Sequence, residues 1–484
     1  MTRHRRLSGA VVAALFLCPR AAEAHGFGVR YDLPLPLWTF LIGAGAAVAV
    51  SVPFVAWVGD RPERENGHPT LRDFGPTRAI VGPIVWVGLQ ILSVAIFIFL
   101  IAAGLFGAQG DPSTNILPTA VWVIWWVGFA YVSALVGDIW RVINPWKILA
   151  EWTGVLNRKL GFAGSLPRPP PVWWGAWPAT GLFFAFAWAE LAWPANTVPA
   201  LLTDAILLYS GITWIGMARY GVNAWLRTGE TFAIYFGLFA RFAPIEPETL
   251  ALRPYGVGLL QPSGVSVSML IFVILVLSTV SFDGFSATPL WADFNGAARL
   301  ELYRSGLLVP IGSLAGDALV KTVGLVLAPI IFLVVYLAFC RVTALLLARS
   351  GVEARTMDIA TRFVLTLVPI AIVYHFAHYL SYFLIYGQAI IGLISDPFGA
   401  GWNLFGTGGY KMDIGIVGVR FVWYFSVAAI VIGHVAAIWL AHVTALRTFG
   451  SRRVAIGTQV PMIGLMIGYT MLSLWMLSQP IVEK

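Results

Sequence analysis

Ten apolar runs, each long enough to cross a lipid bilayer as an α-helix, limit the fold of this chain more than any other feature. A helix rises about 1.5 Å per residue, so roughly 20 apolar residues cross the hydrocarbon core. Apolar residues make up 58% of the 484 residues and charged residues 11%, which would leave a soluble globule with too little polar surface. The sequence therefore predicts an all-α polytopic membrane protein in contact with the lipid bilayer. The predicted spans lie near residues 36–58, 79–107, 119–140, 176–194, 199–217, 265–282, 318–347, 363–394, 421–446 and 457–478.

Residues 1–24 have the three parts of a secretory signal peptide. A basic start is followed by an apolar stretch over 7–17 and by an Ala-Glu-Ala cleavage site over 22–24. We expect signal cleavage before His25, which would leave residues 25–484 as a single transmembrane helical domain of about ten helices.

The basic residues recur in alternate loops, which is the pattern that the positive-inside rule predicts for cytoplasmic loops. Ten spans then place the mature N-terminus and the C-terminus in the periplasm, and the protein in the bacterial inner membrane. The basic residues behind the formal charge of +8 thus mark the cytoplasmic loops and form no single basic face, so the sequence predicts no nucleic-acid partner. The loops concerned lie near residues 59–78, 141–168, 219–253, 349–362 and 447–453.

Residues 218–242 combine aromatic side chains with charged ones, among them Arg227, Glu230 and Arg241. A helix with one apolar, aromatic face and one charged face is typical of the membrane–water interface. We therefore predict an amphipathic helix on the inner membrane surface here rather than an eleventh span.

Histidines inside two consecutive spans are the most informative polar residues of the chain. His375 and His378 are three residues apart in the eighth predicted span, so they share one helix face. His434 lies at a comparable depth in the ninth span. Ionisable groups at membrane depth usually face the bundle interior and mark function. The three histidines predict a site for a divalent or transition metal, with zinc or copper favoured by imidazole ligands.

Other polar residues in the spans leave several alternatives open. The histidines can also hydrogen-bond across helices in a purely structural role. A two-haem core is disfavoured, because His434 and His442 are eight residues apart whereas His375 and His378 are three apart. Glu190 and His442 are candidate catalytic proton acceptors. Asp138 and Asp204 are further carboxylates in or near predicted spans, and each is a candidate to orient a metal ligand by a hydrogen bond or to act as a general base.

Cleavage before His25 would expose an amine and an imidazole on one residue, a combination that suits copper, so His25 is a further candidate metal ligand.

Tyr379, Tyr382 and Tyr386 continue the eighth span outward and predict either an access path or an interfacial tyrosine belt. Turn residues at 283–285 and 396–399 predict outer turns that cap the bundle.

Four short motifs stand out along the mature chain. They are His-Gly-Phe-Gly at 25–28, Arg-Tyr-Asp-Leu-Pro-Leu-Pro-Leu at 30–37, Ser-Phe-Asp-Gly-Phe at 281–285 and Ser-Asp-Pro-Phe-Gly at 395–399. These motifs resemble those of a bacterial family of membrane proteins known as fenitrothion hydrolases, and the resemblance extends over nearly the whole mature chain. It implies hydrolysis of a neutral organophosphate triester with release of a phenol, but it assigns no catalytic residue in this chain.

Together, these features predict a membrane-embedded, metal-dependent hydrolase of phosphoric triester bonds in a lipophilic small molecule. A bound metal would polarise the phosphoryl oxygen and activate a water molecule. Two alternatives stay open, namely a metal- or proton-coupled transporter and a copper- or haem-binding redox subunit. An additional membrane subunit is also considered as a partner.

Overall fold

A computed structural model describes most of the chain, and the predicted signal peptide and His25 lie outside the described residues. The described residues are 35–58, 70–71, 82–161, 167–260, 263–306, 312–449 and 451–479. Within these ranges the chain is helical, and the only strand-like features are isolated β-bridges such as that between Thr70 and Ala251. The prediction of an all-α polytopic membrane protein is confirmed.

Fifteen helices of seven or more residues occur in the described residues. The first eight are α1 (Leu37–Val58), α2 (Pro83–Phe106), α3 (Ile116–Leu135), α4 (Pro145–Lys159), α5 (Trp177–Leu191), α6 (Pro199–Tyr220), α7 (Val222–Thr228) and α8 (Thr231–Ala240). The others are α9 (Val267–Ser286), α10 (Pro289–Arg304), α11 (Gly312–Arg349), α12 (Thr356–Tyr386), α13 (Ala389–Ser395), α14 (Val419–Phe449) and α15 (Arg452–Ser478).

Eight of the described helices are long and apolar enough to cross a membrane, and they coincide with eight of the ten predicted spans. They are α2, α3, α6, α9, α11, α12, α14 and α15. The first predicted span forms α1, with 22 residues. The fourth forms α5, whose 15 residues reach only about 22 Å at 1.5 Å per residue. The count of ten full-length spans is therefore not confirmed.

Burial separates the inner helices of the bundle from the outer ones. In α12 and α9, 89% and 83% of the apolar stretch is buried within the protein, compared with 6% in α2. The helix α12 packs against α14, α9 and α3, while α15 contacts α14, α11 and α1. A helix that is apolar on all sides and enclosed by others forms a core, so any site between α9 and α12 is enclosed by protein.

Glycines allow two of these contacts to be close. A Cβ atom at Gly128 would lie 2.8 Å from Phe383, and one at Gly433 would lie 2.2 Å from Cγ2 of Val373. Small residues let membrane helices approach each other, so α3 and α14 pack tightly on α12. Tyr131 strengthens the α3–α12 contact, because its hydroxyl donates to the carbonyl oxygen of Phe376 at 2.8 Å.

The region 218–242 differs from the single surface helix that its composition predicts. It contains the end of α6, the short helix α7 and the helix α8. Eight of the ten residues of α8 are buried, including Tyr235, Phe236 and Phe239. Apart from Thr231 its residues are aromatic, aliphatic or glycine, so it has no polar face for the membrane surface and packs into the bundle. The prediction of an inner-surface amphipathic helix was wrong for this segment.

Glu230 explains how α8 can begin inside the protein. Its carboxylate accepts hydrogen bonds from the backbone N–H groups of Phe232 and Ala233, at 3.2 and 2.6 Å. It also accepts from the Tyr209 hydroxyl at 2.5 Å and from the Asn144 amide at 2.9 Å. The side chain therefore accepts hydrogen bonds from backbone N–H groups at the start of α8 that have no partner within the helix. It also holds α8 against α4 and α6.

We predict that Glu230→Ala destabilises the protein by about 2 kcal/mol or more, because it removes a helix cap and leaves buried donors without an acceptor. The melting temperature of purified protein in detergent, followed by circular dichroism, should fall. Glu248→Ala is the matched control, since Glu248 is exposed and its ion pair with Arg141 lies at the surface. Equal melting temperatures for the two variants would contradict this role of Glu230.

Candidate functional site

Asp283 on α9 and two residues of α12 form the centre of a polar cluster inside the bundle. The Tyr379 hydroxyl donates to Oδ2 of Asp283 at 2.6 Å, and Nε2 of His378 lies 2.9 Å from the same oxygen. An ionised carboxylate only accepts hydrogen bonds, so with Asp283 ionised Nε2 of His378 is the nitrogen that carries the hydrogen. Two donors at short distance stabilise a negative charge on Asp283.

Glu190 on α5 extends the cluster through the same tyrosine. Its Oε1 accepts a hydrogen bond of 2.6 Å from the Trp126 indole and lies 3.1 Å from the Tyr379 hydroxyl oxygen. A hydroxyl has one hydrogen, which Tyr379 directs to Asp283 at the shorter distance. A second hydrogen bond between Tyr379 and Glu190 then needs a proton on Glu190, and we infer that Glu190 is protonated. Two carboxyl groups bridged by one hydroxyl also repel each other when both are ionised, which favours the same state.

An unusual stretch of α3 holds Trp126 in this position. Residues Ala120–Gly128 form a π-helix, a conformation that is rare and frequent at functional sites. Trp122 and Trp126 point from this stretch into the bundle, and the Trp122 indole donates to the carbonyl oxygen of Asn196 at 2.9 Å. The Asn196 amide in turn donates to the carbonyl oxygen of Glu190 at 2.7 Å. The end of α5 that carries Glu190 is thus held by two tryptophans.

A small cavity lies next to this cluster, with room for about one water molecule. Several residues with polar side-chain atoms line it, and two of them have buried atoms without a hydrogen-bond partner, namely Nε2 of His375 and Oγ1 of Thr279. Buried polar groups are normally satisfied by protein or by ordered water. A cavity with unsatisfied polar walls suits a water molecule or a polar group of a ligand. The lining residues are Trp126, Phe183, Glu190, Tyr235, Phe239, Val276, Thr279, Val280, Ala371, His375 and Tyr379.

The predicted metal ligands do not converge on one point. His378 is bonded to Asp283, and His375 lines the cavity with Nε2 unbonded. On α14, Nδ1 of His434 lies 2.8 Å from the carbonyl oxygen of Ile430, and the ring lies beside Tyr469. Among the described residues, no three side chains of His, Cys, Asp or Glu are grouped so that they could hold a metal ion. These residues do not fit the three-histidine site, and a metal ion stays a prediction from the sequence alone.

The remaining candidates lie away from the cavity. Nδ1 of His442 is 3.1 Å from Oε1 of Gln459, in a contact between α14 and α15. Asp204 is exposed on α6. Asp138 follows α3 and accepts a hydrogen bond from the backbone N–H of Arg141, while burial raises the pKa of its carboxyl group above the usual range. None of these three lines the cavity beside Glu190.

The tyrosines of α12 form a continuous row of ring contacts that begins at the cluster. The ring centroids of Tyr379 and Tyr382 are 6.3 Å apart, and those of Tyr382 and Tyr386 are 5.2 Å apart. Tyr382 and Tyr386 are partly exposed, whereas Tyr379 is buried. The row therefore connects the cluster with the predicted outer end of α12.

Asp283 is the central residue that sequence reasoning missed, because its Asp-Gly pair is typical of a turn. The helix α9 continues through this pair to Ser286, so the predicted outer turn at 283–285 was wrong. Gly284 is required for packing, since a Cβ atom there would lie 2.1 Å from the Tyr374 hydroxyl. A signal was available, because a carboxylate directly after an apolar run of span length is costly without a partner.

We predict that Glu190 contributes a protonated-carboxyl band to the infrared spectrum of the purified protein. Glu190→Gln should remove the band. Tyr379→Phe should shift it, because the hydroxyl oxygen that accepts a hydrogen bond from the protonated Glu190 is lost. Glu248→Gln, which changes an exposed carboxylate, is the control and should leave the band unchanged. A wild-type spectrum without a band that depends on Glu190 would contradict the proton assignment.

Comparison with known proteins gives no indication of the function of this cluster. No protein-family model matches the chain, and neither a curated protein nor a solved structure matches it. Any function is therefore inferred from the residues of the cluster and from the four motifs described above.

Proposed function

We propose that this protein is a membrane-embedded hydrolase of lipophilic esters, of the neutral aryl phosphotriester class. One observation carries the proposal, namely that His375, with an unbonded Nε2, lines the same cavity as Glu190 and Tyr379. A base and an acid on one water-sized cavity are the groups that hydrolysis requires. The resemblance to fenitrothion hydrolases supports the choice of a phosphotriester.

The proposed reaction uses a water molecule in the cavity as the nucleophile. Nε2 of His375 takes a proton from the water as its oxygen bonds to phosphorus. The bond between phosphorus and the aryl oxygen breaks, and Glu190 donates its proton to the departing phenolate. The products are a phenol and a dialkyl phosphoric acid, or a dialkyl thiophosphoric acid when the substrate is fenitrothion, whose phosphorus carries a P=S group. Return of the proton from His375 to Glu190 restores the site. Glu190 thus acts as the acid in the first step, rather than as the acceptor that the sequence suggests.

Asp283 and His378 have a positioning role in this proposal. The Tyr379 hydroxyl is held by Asp283 and lies 3.1 Å from Oε1 of Glu190. The hydrogen bond from His378 to Asp283 stabilises a negative charge next to Glu190, which favours the protonated state of Glu190. No step is assigned to a metal ion, because the described histidines do not converge on one.

The walls of the cavity favour an apolar substrate that reaches the site from the membrane. Phe183, Tyr235 and Phe239 are among its lining residues, and neutral aryl phosphotriesters partition into lipid. Because the cavity has room for about one water molecule, substrate binding requires movement of these side chains. The tyrosine row of α12 provides a route from the partly exposed end of that helix.

A proton-coupled transporter is the second candidate, and the bonded chain itself favours it. Glu190, Tyr379, Asp283 and His378 connect three helices through hydrogen bonds, an arrangement found in intramembrane proton relays. Such a protein would move a solute together with protons and cleave no bond. Bond cleavage in detergent solution, where no gradient exists, separates the two candidates.

We predict that purified protein in detergent releases the phenol from fenitrothion and that His375→Gln or Glu190→Gln lowers the rate by about 100-fold or more. Glu151→Gln, on the exposed side of α4, is the matched control and should keep the wild-type rate. Each variant is first checked for folding by size-exclusion chromatography. Hydrolysis that survives in both site variants would remove this mechanism, and loss of activity in His442→Gln instead would assign the base to His442.

The proposed location is the bacterial inner membrane, with the mature N-terminus and the C-terminus in the periplasm. We predict that alkaline phosphatase fused after residue 479 is active, whereas a fusion within 447–453 is inactive, because the latter loop carries Arg447, Arg452 and Arg453. An inactive fusion after residue 479 would contradict this topology. An additional membrane subunit as a partner stays part of the proposal.

A further inference from the structure

The segment that connects α13 to α14, residues 396–418, exposes an unusual amount of apolar surface. Soluble loops of this length are usually polar, and a contiguous apolar patch on a protein surface marks a contact site. Here Phe405 and Ile414 are 69% and 68% exposed, and other large apolar residues accompany them. The further exposed residues are Trp402, Leu404, Tyr410, Met412 and Ile416.

Hydrogen bonds hold this segment in one conformation. Oε1 of Gln388 accepts from the Tyr410 hydroxyl and from the backbone N–H of Asp413, both at 3.0 Å. Oγ of Ser395 accepts from the backbone N–H groups of Phe405 and Thr407, at 3.1 and 3.2 Å. The apolar side chains are therefore attached to a backbone that hydrogen bonds fix in one conformation, so their exposure does not result from an unstructured loop.

The patch is continuous with the surface that the protein presents to lipid. The Phe398 ring lies 5.8 Å from Phe99 of α2 and 5.6 Å from Trp402. The backbone N–H of Ala108, just after α2, donates to the carbonyl oxygen of Phe398 at 2.7 Å. Only 6% of the apolar stretch of α2 is buried in the protein, so this helix faces lipid on most sides. The lipid-facing surface thus extends from α2 through Phe398 to the segment.

We propose that residues 402–416 lie within the lipid interface of the predicted outer leaflet and form a fixed, non-helical membrane contact. Trp402 and Tyr410 are residue types that favour the headgroup level, and Leu404, Phe405 and Ile414 reach the upper acyl chains. Lys411 and Asp413 are the only charged residues in this stretch, so little charge opposes insertion. The backbone hydrogen bonds to Ser395 and Gln388 lower the cost of placing an irregular segment near hydrocarbon.

The test uses single cysteines at the patch, labelled with a fluorophore that reports polarity, in lipid nanodiscs. Phe405→Cys and Ile414→Cys place the label on exposed side chains, so folding should be preserved. The native Cys340 is buried, and the parent protein should take up no label. Ser113→Cys, in the exposed polar turn after α2 where Ser113 bonds to Asp111, is the matched control.

Labels at 405 and 414 are expected to be quenched by spin-labelled lipids and shielded several-fold from aqueous iodide, relative to the label at 113. Equal iodide quenching at all three positions would overturn the proposal, since the segment would then lie in water. Shielding from both quenchers would also overturn it, because a protein partner or a second copy of the chain would cover the patch instead. These results do not depend on hydrolysis, so the proposal stands or falls separately from the proposed function.

Discussion

The need to satisfy polar groups without water determines the organisation of this protein around one hydroxyl group. The Tyr379 hydroxyl lies between the carboxyl groups of Glu190 and Asp283, and its one hydrogen serves Asp283. In a region of low dielectric an unpaired carboxylate is costly, so each carboxyl group needs a donor or a proton. The bonded chain joins α5, α9 and α12, because α5 contributes Glu190, α9 contributes Asp283, and α12 contributes Tyr379 and His378.

The packing around the cluster serves the same requirement. Gly284 allows the Tyr374 hydroxyl to pack next to Asp283, and Gly128 allows α3 to approach α12. The approach of α3 brings the Trp126 indole to Glu190, at 2.6 Å. Aromatic walls then exclude solvent, which strengthens each hydrogen bond inside. Nε2 of His375 and Oγ1 of Thr279 are exceptions that have no hydrogen-bond partner, and the proposed chemistry depends on the first of them.

Sequence reasoning identified several members of this cluster but not their arrangement. Glu190, His375 and His378 stood out because ionisable groups at membrane depth are costly, and Tyr379 stood out as the first residue of a tyrosine row on the same span as the two histidines. Equal depth then suggested that His434 joined His375 and His378, yet depth gives no information on the direction of a side chain around its helix. In the structure His434 turns toward Ile430 and Tyr469, while His378 turns toward Asp283. Asp283 was missed because Asp-Gly is read locally as a turn.

Apolar periodicity and length by themselves determined that the chain is a helical membrane protein, because hydrocarbon accepts only segments that satisfy their own backbone. Eight of the ten predicted spans follow from that rule alone. Only the tertiary structure decided that α5 is short, that α8 is buried and that α9 continues through Asp283 and Gly284. It also decided which polar groups meet, since hydrogen bonds between Glu190, Tyr379, Asp283 and His378 join residues far apart in sequence. Local sequence encodes the cost of a buried polar group, and helix packing determines which partner offsets it.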